Sequence, residues 1–218
     1  MTINGASDTH QLLLLLNWMS PTFPIGSFAY SHGLEQAIAD GRVRSAGDVE
    51  EWIGDLLQHG SGWNDALLFA QCWTEDGDLL NELALALCCS AERHVEATQL
   101  GRNFNIASAV WTGREMHDLV MAYPVAAGLS CKEFGIGREQ ALTAFLQGFC
   151  AALVSVAVRL VPLGQTNGLV VLRNLSQQIS KIVTRAASAS LQDIGSCCVA
   201  ADIVSMQHET LQPRIFRT

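Results

Sequence analysis

Between Glu139 and Arg159 the chain runs for nineteen residues without a charge, QALTAFLQGFCAALVSVAV. That length is enough for a helix to span a bilayer. However, Gln140, Thr143, Gln147 and Ser155 dilute its apolar surface, and charged residues stand directly at both ends. A helix covered on most sides, in a core or at a subunit interface, fits the pattern better than membrane insertion. Such a helix has to be enclosed by others, so the rest of the chain must supply a helical shell.

It does. Ser45 and Asp48 form a capping pair ahead of Val49, Trp52, Ile53, Leu56 and Leu57 at helical spacing, with Gly60 and Gly62 to close the helix. Asp8 is placed to cap a first helix through Met19, ended by Pro21 and Pro24. Ser27 is placed to cap a second through about Asp40, stopped by Gly41. Further helices are expected over 65–73, 78–89, 91–112, 114–127, 138–160, 167–189 and 196–209, many carrying the small residues that let helices approach closely. No run of four or more residues alternates as a half-buried strand would, and neither a repeat nor a low-complexity linker divides the chain. The expectation is one all-α domain over 1–218, of about eight to ten helices. Its N-terminal residues 1–8 are expected to be mobile.

Charge and cysteine usage narrow the function classes. The net charge of −8 counts against nucleic acid as a partner, since phosphate binding needs a basic surface. Residues 1–100 hold fourteen acids against Arg42, Arg44 and Arg93, an imbalance suited to a basic partner, a divalent cation or an ordinary solvated face. The seven cysteines are odd in number, and Leu12–Leu16 lacks the basic n-region of a signal peptide because the first basic side chain is Arg42. Reduced thiols in the cytoplasm are therefore expected rather than a disulfide framework.

Catalytic signatures are missing. There is no G-x-x-x-x-G-K-[ST], H-E-x-x-H, Glu-x-x-His or G-x-S-x-G, and Gly135-Ile-Gly137-Arg138 follows no strand. None of the six histidines lies four residues from another, and Cys88-Cys89 and Cys197-Cys198 are adjacent pairs with poor geometry for one ion. Neither catalytic nor metal-binding residues are expected. Tyr30, His32 and Glu35 have spacings that could share one helical face and pass protons. Equally, Phe23, Phe28 and Leu34 could pack while the polar residues hydrogen-bond a loop, and no nucleophile accompanies them. The residues alone point to a helical interaction module.

Three stretches together resemble the UreF family of urease accessory proteins. Pro24-Ile25-Gly26-Ser27-Phe28-Ala29-Tyr30-Ser31-His32-Gly33-Leu34-Glu35 is similar to the family's P-[VI]-G-x-[FY]-x-[YW]-S-[HQ]-G-[LI]-E. Val161-Pro162-Leu163-Gly164-Gln165 follows the uncharged segment, and His208-Glu209-Thr210 with Arg214-Ile215-Phe216-Arg217 ends the chain. The tail departs from the family's H-E-T-Q-Y-S-R-L-F-R-S, with Leu211, Gln212 and Pro213 in its middle.

The resemblance implies an all-α, usually dimeric protein without catalytic activity or cofactor of its own. Such proteins act in assembling the dinuclear nickel centre of urease. They join UreD (also called UreH), the pair recruits the GTPase UreG, and the complex engages the apo-urease structural subunits. Partner-binding residues are then expected at Pro24, Gly26, Tyr30, Ser31, His32, Gly33, Glu35, Gly164, Gln165, His208, Glu209, Arg214, Phe216 and Arg217. The Gly- and Pro-bearing stretch 20–35 and an uncapped tail over 209–218 are expected to be mobile and to order on docking. Two alternatives stay open: regulation of the UreG GTPase cycle through Glu35 or an arginine such as Arg214, and a small-molecule enzyme using Tyr30, His32 and Glu35. A transient nickel contact by an imidazole or thiol also stays open, with no residue assigned to it.

Overall fold

The most enclosed segment of the chain is not the uncharged one. In the computed structural model, which describes residues 4–113 and 120–218 with side chains from residue 8 onward, that place belongs to Ser61–Gln71. Here Trp63, Ala66, Leu67, Leu68, Phe69 and Ala70 are all buried, on every side of the helix. Asn64 and Gln71 are buried with them, and a helix covered on every face must be surrounded by others. Each of its large side chains contributes about 1.5–3 kcal/mol relative to exposure.

Ten α-helices are present among the described residues, in the order α1 (Asn4–Trp18), α2 (Leu34–Ala39), α3 (Ala46–His59), α4 (Ser61–Gln71), α5 (Gly77–Ala86), α6 (Ala91–Thr112), α7 (Tyr123–Glu133), α8 (Arg138–Leu160), α9 (Gly164–Ser188) and α10 (Val199–His208). Short 3-10 turns occupy Ser27–Ala29 and Leu191–Asp193. Helices α3, α5, α7, α8 and α9 pack around α4, α9 lies along α8 and α3, and α10 crosses α2 and α6. An aromatic cluster seals the end formed by α1, α6 and α7: Trp18 meets Phe104 and Phe134 edge-on, with ring centroids 5.8 and 5.5 Å apart.

Helix α8 presents Ala141, Leu142, Phe145, Leu146, Cys150, Leu153 and Ala157 to this core. It is long and apolar enough to cross a membrane, and half of its apolar window is buried inside the fold. It is therefore less covered than its lack of charge suggests.

Helices expected from local signals recur with small shifts where those signals are strong. The Ser45–Asp48 pair forms a complete capping box, and α6 and α8 keep their expected limits. Helix α1 starts before Asp8, which lies inside it rather than capping it. The expectation for 114–127 falls partly on 114–119, outside the described residues, as does that for residues 1–3 of the N-terminus.

The larger correction concerns Ser27–Asp40, expected as one helix. It is a 3-10 turn, an extended Tyr30, and a short α2 that begins only at Leu34. His32 and Gly33 both take positive φ, 51° and 75°, so a helix cannot run through them. Tyr30, His32 and Glu35 therefore do not share a helical face.

Candidate functional site

The broken second helix turns the backbone so that the start of α2 meets α10. Gly33 makes that contact possible, because a Cβ there would lie 3.1 Å from the Ser205 backbone nitrogen and its φ of 75° suits no other residue type well. Helix α6 enters from the third side. Its cap Ser90 accepts from the Arg93 amide and bonds the Ser205 hydroxyl at 3.0 Å, while Glu209 accepts from the Ala91 amide at 2.9 Å. Glu92, Arg93 and Glu96 thus project from the first turns of α6 toward α2 and α10.

Over this junction lies the C-terminal segment, 209–218. Phe216 and Thr218 are buried, Arg214, Ile215 and Arg217 are exposed, and the Gln212–Pro213 peptide bond is cis. A segment expected to be free is folded into the body. So is 30–35, where Tyr30, Ser31 and Glu35 are buried.

Two layers of polar contacts hold the segment. In the first, Glu35 accepts from the amides of Ile215 (2.7 Å) and Phe216 (2.8 Å) and faces His208 Nε2 at 3.0 Å. His208, fully buried, turns its other ring nitrogen to Glu92 Oε2 at 2.7 Å, and Glu92 Oε1 pairs with Arg214. In the second, the Thr218 carbonyl accepts from the Ser31 amide and hydroxyl, and the Thr218 hydroxyl donates to Glu96 at 3.1 Å. Glu96 also binds Arg93 (2.6 Å) and His32 (2.8 Å), and the Arg93 guanidinium reaches Asp65 at 3.6 Å. The Arg217 amide donates to the Ala29 carbonyl, closing the tail on the 3-10 turn.

The electrostatics follow from burial and pairing. Burial alone would raise the Glu96 carboxyl, but the charges of Arg93 and His32 and their hydrogen bonds outweigh it and hold Glu96 at about 2. Burial would lower Arg93, yet Glu96 and Asp65 raise it above the ordinary arginine range. Asp65, at the rim, is pushed up by burial ahead of the opposing charges of Arg93 and His32. Tyr30 is likewise raised by burial, against a hydrogen bond to Arg217. A cleft of about 90 Å³ adjoins this cluster, lined in part by Trp18, Tyr30, His32, Asp65 and Arg93.

What these groups can do chemically is set by their mutual saturation. Carboxylates, guanidinia and imidazoles face one another, not an open surface. Burial pushes the thiols of Cys72, Cys131 and Cys150 to about 12, which makes them poor nucleophiles and ligands. Among the described residues no three His, Cys, Asp or Glu side chains are grouped to hold a metal ion.

Of the residues singled out in the sequence, Tyr30, Ser31, His32, Gly33, Glu35, His208, Glu209, Arg214, Phe216 and Arg217 come together here. Pro24 and Gly26 lie in the preceding turn, tied to α6 through the Asn103 side chain and the Ile25 carbonyl at 2.9 Å. Gly164 and Gln165 are not brought in: both are exposed at the start of α9, where Gln165 borders a groove with Arg159 and Leu169. Asp65, Glu92, Arg93, Glu96 and Thr218 were missed as a group. The signal available was Glu92 and Glu96 one turn apart behind the Ser90 cap, a helix face carrying two acids and an arginine.

Fold and site together define an all-α protein organised around a docked C-terminal segment. The profile of the UreF family matches residues 43–176. The chain is 44% identical over 218 residues to the urease accessory protein UreF of Rhizobium etli, covering 97% of this chain and 98% of that one. It is 45% identical over 208 residues to that of Cereibacter sphaeroides, covering 95% and 98%. The corresponding protein of Rhizobium leguminosarum is 43% identical over 223 residues, covering 99% and 100%. The chain belongs to the UreF family.

Proposed function

We propose that this protein is a urease maturation scaffold: with UreD/UreH it recruits the GTPase UreG to apo-urease for nickel insertion. The observation that carries this is the match along nearly the whole chain to proteins named urease accessory protein. It works in the cytoplasm as a homodimer, without chemistry or cofactor of its own, and nickel is the cargo of the assembly. The fold supports such a role by supplying a rigid platform. The docked tail leaves Ile215 73% exposed beside Arg214 and Arg217, and the adjoining turn leaves Phe28 58% exposed. An aromatic and an aliphatic anchor set among arginines suit a protein partner.

Because Phe216 and Thr218 are buried, deleting 211–218 would uncover the core as well as remove a contact. Substitutions at the exposed positions test the role cleanly. Ile215→Asp and Phe28→Asp are expected to keep the helical content and melting temperature while losing co-purification with UreD and urease activation in a co-expression system. Full activation by both variants, or activation when this protein is omitted, overturns the proposal.

A further inference from the structure

His208, expected from the sequence at a partner surface, is instead fully buried between α2 and α6. Its two ring nitrogens face carboxylate oxygens of two different helices, Glu35 on α2 at 3.0 Å and Glu92 on α6 at 2.7 Å. A neutral imidazole carries one N–H and one lone pair. With either tautomer a lone pair would be aimed at a carboxylate at hydrogen-bonding distance, inside a site from which water is excluded. That arrangement is repulsive and leaves a buried acceptor unpaired.

Neither carboxylate is well placed to take the proton instead. Both Glu35 oxygens already accept backbone N–H groups, from Ile215 and Phe216, and Glu92 faces the Arg214 guanidinium. An imidazolium satisfies every contact at once. It also balances the local charge, with Glu35 and Glu92 set against His208 and Arg214.

We propose that docking of the C-terminal segment is proton-coupled: His208 binds a second ring proton as residues 214–216 seat on Glu35 and Glu92, and its loss unseats them. The coupling follows because the segment depends on the same two carboxylates. Without the imidazolium between them, two negative groups face each other across α10, and both are the segment's own anchors. The charged groups on the elements packed about His208 are Glu35 from α2, Glu92, Arg93 and Glu96 from α6, Arg214 and Arg217 from the tail, Asp202 on α10 and Glu209 just past its end. His32 and Asp65 lie beyond Arg93. Among the described residues the ring's hydrogen-bond partners are Glu35 and Glu92.

The sign is determined by which state binds the proton. Docking takes up a proton where a free imidazole is mostly neutral, above about pH 6.5. Seating is thus fullest below that range and weakens as pH rises, approaching tenfold per pH unit.

The test uses the full-length chain and the amides of Ile215 and Phe216, whose hydrogen-exchange protection reports seating directly. Their protection, corrected for intrinsic exchange and referred to core amides of α4, is expected to fall by on the order of tenfold per pH unit above about pH 7. In His208→Gln, which donates to one carboxylate and does not titrate, protection should be lower and lose this dependence. Long-range ¹H–¹⁵N spectra of the wild-type histidines should show both nitrogens of His208 protonated at neutral pH. A neutral-tautomer pattern for His208 overturns the proposal even if the variant fails to fold. So does a pH dependence that survives intact in His208→Gln, which would assign it to His32.

Discussion

Glu35 shows how much one residue can organise. Its carboxylate accepts two backbone N–H groups and faces one imidazole nitrogen, all from segments more than 170 residues away in sequence. A motif glutamate near a sequence's start reads naturally as an exposed contact, yet this one is only 6% exposed. Glu35→Ala would leave His208 and two amides without their acceptor, and breaking a buried pair in this way costs about 3–5 kcal/mol. Thermal unfolding should then shift down by roughly 10 °C for a chain of this size. Glu35→Gln keeps one acceptor oxygen and should fall between. A Glu35→Ala protein that melts with the wild type would show that the contacts contribute little and that its role is on the surface. Loss of urease activation in this variant is therefore a stability effect first, unlike the losses expected at Ile215 and Phe28.

At the scale of elements, what was legible in the sequence was what depends on near neighbours. The Ser45 capping box and the limits of α6 and α8 are written within a few residues, and the structure keeps them. The break between Tyr30 and Leu34 is not written that way. Ser27 and Gly41 bracket a plausible helix, and only the docking of Thr218 on Ser31 and the approach of α10 to Gly33 explain why the chain forgoes it. The site shows the same division. Two of its three strands of evidence, the 24–35 motif and the tail, were visible as residue patterns, but their mutual contact spans 187 residues and leaves no local trace. Helix α6 contributed no motif at all, although it supplies Glu92 and the buried charges of Arg93 and Glu96. Gly33→Ala tests the junction itself. The added Cβ strains a left-handed backbone by about 1–2 kcal/mol and presses on Ser205, so the melting temperature should fall by several degrees while overall helicity is unchanged. A neutral result would mean that α10 can shift away from α2 without cost.

For the whole molecule, the buried ionic cluster is the place where solution conditions reach the fold. Where helices pack on the apolar side chains of α4, such as Leu67, Leu68 and Phe69, the fold responds weakly to pH. The cluster differs, since it holds Glu96 buried against the charges of Arg93 and His32. Glu96 is held at about 2 against an ordinary value near 4.3 for an unfolded chain. Its folded value is depressed, so its contribution is fully present above the unfolded value and is lost as pH falls through the folded one. The difference amounts to about 3 kcal/mol, withdrawn progressively between about pH 5 and pH 2. Unfolding by urea, followed across that interval, should therefore show stability falling with a slope that Glu96→Gln reduces. The variant begins less stable at neutral pH, because Arg93 and His32 each lose a charged partner, and approaches the wild type in acid. Parallel curves for the two proteins across the whole interval would remove Glu96 as the source and place the acid sensitivity on the other carboxylates beneath the tail.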